Sequence, residues 1–207
     1  MADPISVCNQ ALAELGEGFI QGFQDGTSVS NLCATLYEGA RDEVLELHPW
    51  NFAGFRARLG RSPDTPALDW RYMYPLRTQP WCIKVRGTDQ GNGARFEIGM
   101  DANNGRVLYS DAASVSISYT GRVEDLGIWS PLAIQVLIKL MASKLAKPLT
   151  GQNSLGQLKM QEAIGLLPEA RSSDGREGSP VVLRSNRTLT LARHRRRGGA
   201  LPGFVDV

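Results

Sequence analysis

Few residue types in this chain of 207 residues can do covalent or acid–base chemistry, so the search for a site is short. The only histidines are His48 and His194, which leaves little scope for a Ser/His/Asp arrangement and none for a histidine metal cluster. Cys8, Cys33 and Cys82 are odd in number and widely spaced, so they predict neither a disulfide framework nor a zinc site. Cys8 and Cys33 stand beside apolar helical positions and read as small buried hydrophobes. Asp42, Glu43 and Glu46 could pair as a general acid and base, but they sit on what reads as the charged face of a helix. No GxxxxGK[ST] phosphate loop and no GxGxxG after a strand occurs. With no converging nucleophile, base and oxyanion donor, the expectation is a protein that is not an enzyme and needs no cofactor or metal.

One group of side chains remains. Residues 181–207 hold six arginines against Asp206 alone, a net charge of +5, while residues 1–180 carry 17 Lys+Arg against 20 Asp+Glu, a net of −3. A mildly acidic body thus carries a basic arm. Its arginines can pair with nucleic-acid phosphate or with carboxylates of a protein partner. Phe204 is the only aromatic after Trp129, so base stacking is not the expected mode. Arg187-Thr188-Leu189-Thr190-Leu191 alternates like a strand awaiting a sheet edge from another chain.

The elements that must carry these groups follow from pattern. Asp3 before Pro4 reads as a capped helix start, with Ile5, Cys8, Ala11, Leu12 and Leu15 on one face and Gly16 and Gly18 at its end. The loop with Phe19, Ile20 and Phe23 is apolar enough to fold down on the core. A second helix, capped by Ser28 or Ser30, turns Leu32, Cys33, Leu36, Ala40, Val44 and Leu47 inward and Glu38, Arg41, Asp42 and Glu46 outward. Pro49 forces His48 out of the helical region, so this helix ends near Leu47.

From Trp50 the texture becomes β. Expected strands are Asn51–Leu59, Arg71–Leu76, Cys82–Arg86, Arg95–Met100, Arg106–Tyr109 and Val115–Tyr119, separated by turn signals such as Asn103-Asn104-Gly105. Ser130-Pro131 opens a broadly apolar helix stopping near Pro148. Ser154 begins another, with Leu155, Leu158, Ala163 and Leu166 or Leu167 inward, despite Gly156 and Gly165. The expected class is α+β: a core of about four helices (1–49 and 128–172), an inserted small antiparallel sheet (50–127), a linker (173–180) and an extended basic arm (181–207). His48, Pro49, Trp50 and Phe52 are the expected anchor between helices and sheet. No apolar run approaches the roughly 20 residues of a membrane span, and the Met1-Ala2-Asp3-Pro4 opening lacks the parts of a signal peptide.

The run Tyr37-Glu38-Gly39-Ala40-Arg41-Asp42-Glu43-Val44-Leu45-Glu46-Leu47-His48-Pro49-Trp50-Asn51-Phe52-Ala53 resembles the signature of the tail tubular protein A family, the head-to-tail adaptors (connectors) of tailed bacteriophages. Val7 to Gly16 is similar to that family's opening helix, Trp70 to Leu76 to its next strand, and Ser130 to Gly151 to its second helical block. The likeness spans about residues 5–170. The connection Arg77-Thr78-Gln79-Pro80 departs from the pattern, and the chain after about Ser172 lies outside it.

The resemblance implies a structural virion protein at the portal vertex between capsid and tail, present in the host cytoplasm during assembly. It would form a ring, usually of twelve copies, with portal protein on one side, a nozzle or tail-tube protein on the other, and packaged DNA passing through the lumen. No membrane is involved. Under that reading Arg184, Arg187, Leu189, Leu191, Arg193, Arg195, Arg196 and Arg197 form a portal-docking arm. The alternatives are a DNA-binding protein acting through the same arginines, and a wall-degrading enzyme with Glu43 or Glu46 as its acid.

Overall fold

The computed structural model describes residues 2–66, 69–90 and 95–177. The fold is α+β, with four helices and two small antiparallel sheets among the described residues. Helix α1 (Pro4–Ala13) starts as its sequence dictates: the Asp3 carboxylate accepts from the Ser6 N–H at 2.7 Å and Pro4 occupies the first helical position. The following loop is pinned by Asn9, whose side chain donates to the Ile20 carbonyl at 2.9 Å and accepts its N–H at 2.8 Å. Ile20 is therefore buried and Phe23 packs on Tyr37, but Phe19 stands 72% exposed and does not cover the core.

Helix α2 (Ser28–Leu47) is capped by Thr27, one residue before the serines expected to do so. It ends at Leu47, with His48 extended (φ −148, ψ 147) ahead of Pro49. Its inward face is rotated from the expected one. Tyr37, Arg41 and Leu45 are buried, whereas Leu47 is 42% exposed. Arg41 was expected outside. Its guanidinium instead lies inside against the Asp42 carboxylate at 3.1 Å, with Arg122 bonded to the same carboxylate, so the buried charge is paired.

Trp50 does not begin a strand. Asn51–Ala53 form one 3-10 turn, and β1 covers Gly54–Arg58. The remaining strands are β2 (Tyr72–Pro75), β3 (Cys82–Thr88), β4 (Phe96–Met100), β5 (Arg106–Ser110) and β6 (Ser116–Gly121). They make two three-stranded sheets, ordered β1-β6-β3 and β2-β5-β4, where one was expected. Tyr74 and Leu108 from the second sheet, with Leu76 just after β2, meet Cys82, Ile117 and Tyr119 from the first in one apolar cluster. The two sheets thus face each other across a core of their own.

Helix α3 (Pro131–Thr150) is capped by Ser130 and runs through Pro148, ending at Gly151 in the left-handed region (φ 72). The glycine rather than the proline stops it. Val136, Leu137, Ile138, Leu140, Met141, Ala142, Leu145 and Ala146 are buried, as its width of apolar surface requires. Helix α4 (Asn153–Arg176) lies along α3. A Cβ at Gly156 would sit 3.0 Å from the Ser143 carbonyl, so glycine permits the close crossing. Ala163 and Leu167 face inward, but Leu158 is 51% exposed. Helix α4 also continues through Ser172, Ser173, Asp174 and Gly175 to Arg176, into the first half of the expected linker.

Lys139 of α3 touches Glu14 (2.9 Å) and Glu162 (2.8 Å), while Lys159 reaches the same two carboxylates. This four-charge group ties the end of α1 to α3 and α4. Cys8, Cys33 and Cys82 are buried free thiols. No described helix is long and apolar enough to cross a membrane.

Candidate functional site at the helix–sheet junction

Three stretches far apart in sequence converge where α2 passes into β1. His48 and Pro49 end the helix; Trp50 then turns fully inward, its indole N–H donating to the Val44 carbonyl at 2.7 Å. That bond satisfies a carbonyl of the last helical turn, which otherwise has no backbone donor. Phe52 stacks on Trp50 (centroids 5.7 Å) and meets Trp129 at 5.1 Å, while His48 places an edge on Trp50 at 4.8 Å. Of the four residues expected as an anchor, His48, Trp50 and Phe52 are brought together as one aromatic wedge, beside a 3-10 turn rather than in a strand, while Pro49 is exposed.

The residue that sequence reasoning missed is Asp174. It is 2% exposed, near the end of α4. Its carboxylate accepts the Asn51 N–H at 2.9 Å and lies 3.2 Å from His48 Nε2, and its backbone carbonyl accepts from the Asn51 side chain at 2.5 Å. Arg171, one turn earlier, donates to the Leu47 carbonyl at 2.8 Å. From the sheet side Arg86 donates to the Trp50 carbonyl at 2.7 Å and to Thr120 Oγ1 at 2.9 Å. Burial lowers the pKa of His48 below its usual 6.5, and the Asp174 hydrogen bond offsets this only in part. His48 is thus neutral at pH 7. With the carboxylate oxygen accepting, the proton sits on Nε2 and the contact is a hydrogen bond from a neutral ring rather than an ion pair.

The other candidate residues are dispersed. Asp42 is held between Arg41 and Arg122, Glu43 pairs with Lys144 at 2.8 Å, and Glu46 is exposed. Arg184, Arg187, Leu189, Leu191, Arg193, Arg195, Arg196 and Arg197 lie outside the described residues, as does His194. Among the described residues, no group of three or more His, Cys, Asp or Glu side chains is placed to hold a metal. A groove of about 610 Å³ runs along α1, with Asp3, Ser6, Gln10 and Phe19 in its walls; a hollow of about 200 Å³ lies between Arg77, Trp81, Asp101 and Arg106. Neither contains Glu43 or Glu46.

No protein-family model matches the chain, and no curated protein matches it either.

Proposed function

We propose that this protein is a head-to-tail adaptor of a tailed bacteriophage, a ring-forming structural component joining portal to tail and continuing the DNA channel. The observation that carries the reading is the run from Tyr37 to Ala53, whose likeness to the adaptor signature is set out above. Its architecture suits the role. A rigid helical body carries a β insertion on one side, and the run itself packs as scaffold between them. The Arg-rich segment 181–207 serves as the arm that docks on the portal, by strand addition and arginine–carboxylate pairing. Docking repeated around a ring makes weak contacts collectively strong, because each bound arm raises the effective concentration of the next.

The test is the size of the protein alone and after mixing with a portal ring. The adaptor reading predicts a discrete complex with several copies per portal, and a chain truncated after Pro180 that stays folded but fails to attach. Attachment by the truncated chain would remove the docking role from the arm. Salt-sensitive binding of free DNA by monomer, without portal binding, would instead favour the DNA-binding alternative, which the arm's charge supports.

A further inference from the structure

Charge is unevenly spread over the described fold. Residues 1–49 carry eight acids against Arg41 alone, a net of −7, and Arg41 is buried. Residues 54–121 carry nine bases against six acids, a net of +3.

On the acidic side, α2 turns a face to solvent. Asn31, Thr35, Glu38, Gly39 and Glu46 are exposed, with Asp42 partly covered between the two glutamates. Asp42 is occupied by Arg41 and Arg122, while Glu38 and Glu46 have no ion-pair partner among the described residues. Two turns and a little more apart, they stand about 12 Å from each other along the helix axis. A Cβ at Gly39 would meet nothing within 4 Å, so this face is uncovered.

On the basic side, the outward surface of sheet β1-β6-β3 carries a complementary set. Arg56 and Arg58 are exposed and alternate with Phe55 and Ala57, which pack inward. Register places Arg56 opposite Ser118, Arg58 opposite Ser116 and Lys84 opposite Thr120, so the three bases share one face. None has an ion-pair partner among the described residues. From Arg56 to Lys84 is two strands across and two residues along, again about 12 Å. The carboxylate beside them, Asp89, already accepts from the Ser116 N–H and the Gln90 side chain.

We propose that these two faces meet between copies, the Glu38/Glu46 edge of α2 in one protomer lying on Arg56, Arg58 and Lys84 of the next. The patches differ, so the contact is heterologous and propagates around a ring when the rotation closes. Exposed charges of this kind set register and partner choice more than affinity. This inference rests on the ring-adaptor reading and assigns that ring's lateral contact.

The test uses the full chain and two charge-reversed variants, Glu38→Lys with Glu46→Lys and Arg56→Glu with Arg58→Glu, all at exposed positions. Sedimentation at low salt measures self-association; if the wild type adds copies only on a portal ring, copies bound per portal are counted instead. Each variant alone weakens association at least about tenfold. Mixing the two in equal amounts, or placing all four changes in one chain, restores it, because each reversed face again meets an opposite charge. Undiminished association by both variants overturns the proposed contact and leaves the adaptor reading standing. A wild type that forms no oligomer, alone or on a portal ring, overturns both. Association that vanishes on truncation after Pro180, in the absence of portal, gives the acidic face to the basic arm and also overturns the contact.

Discussion

At the residue scale the most informative side chain is Asp174. It satisfies the Asn51 N–H and the His48 ring from a helix that starts more than a hundred residues later. Replacing it with Ala leaves a part-buried N–H without its acceptor, and should cost about 2–3 kcal/mol in chemical unfolding. His48 gives this junction a pH signature. Its pKa is lowered in the folded state, so the unfolded chain binds the proton more readily. The associated stability is therefore fully present above pH 6.5, the ordinary histidine value, and is lost as pH falls through the lowered folded-state value. His48→Gln should flatten the stability curve in that window. The depressed Glu162 titrates below its ordinary 4.5. An unchanged slope in the Gln variant would mean another group titrates. Tyr37 makes an opposite prediction. Its hydroxyl is buried without a partner among the described residues, and burial pushes its pKa up to about 12. Tyr37→Phe removes that unsatisfied group and should raise stability by about 1 kcal/mol in thermal or denaturant unfolding. A loss of stability would show that the hydroxyl is bonded.

At the scale of elements, α4 separates what was legible from what was not. Residues 173–176 read as linker because serine, aspartate and glycine crowd there, yet they continue the helix because Asp174 and Arg171 grip the end of α2. Tertiary bonds overrode local propensity. Truncation after Glu177 should accordingly leave the unfolding midpoint close to that of the full chain, whereas truncation after Arg171 should cost about 2–3 kcal/mol. Equal stability of the two would return the segment to linker status. Elements whose information is local were readable: the Asp3 and Ser130 caps, the proline after α2, and five strands to within a residue or two. Whatever depends on pairing was not. Nothing in the β runs says which strands neighbour which, so two sheets were taken for one. Trp50 and Phe52 alternate like strand residues, but the indole bonds the Val44 carbonyl and the chain directly after it, Asn51–Ala53, takes a 3-10 turn. Arg41 looked solvent-facing beside Glu38, Asp42 and Glu46; its own neighbour Asp42 neutralises it, and only Arg122, which shares that carboxylate, comes from far along the chain.

At the scale of the whole molecule, the question is whether the helical body and the β insertion fold as one unit. Gly54 and Thr120 are register partners, so the 68 residues from Gly54 to Gly121 leave and rejoin the helical body at neighbouring positions. Most of the large apolar cluster comes from the helices and from Val123, Leu126 and Trp129, while the sheets hold their own cluster around Leu108 and Ile117. The two are coupled by Phe55, packed against both, and by Arg86 bonded to the Trp50 carbonyl. A chain with residues 54–121 replaced by a short Gly/Ser link should therefore keep cooperative helical unfolding. It should lose a few kcal/mol, from one charge-assisted hydrogen bond and the packing of Phe55 and Ile83. The excised insertion is small enough that its limited core leaves it marginal by itself. Far-ultraviolet circular dichroism through a thermal ramp distinguishes the cases. A helical remainder that melts without cooperativity would show that the aromatic wedge at Trp50 depends on the sheet behind it. The junction would then be the folding nucleus of the entire molecule rather than a joint between two parts.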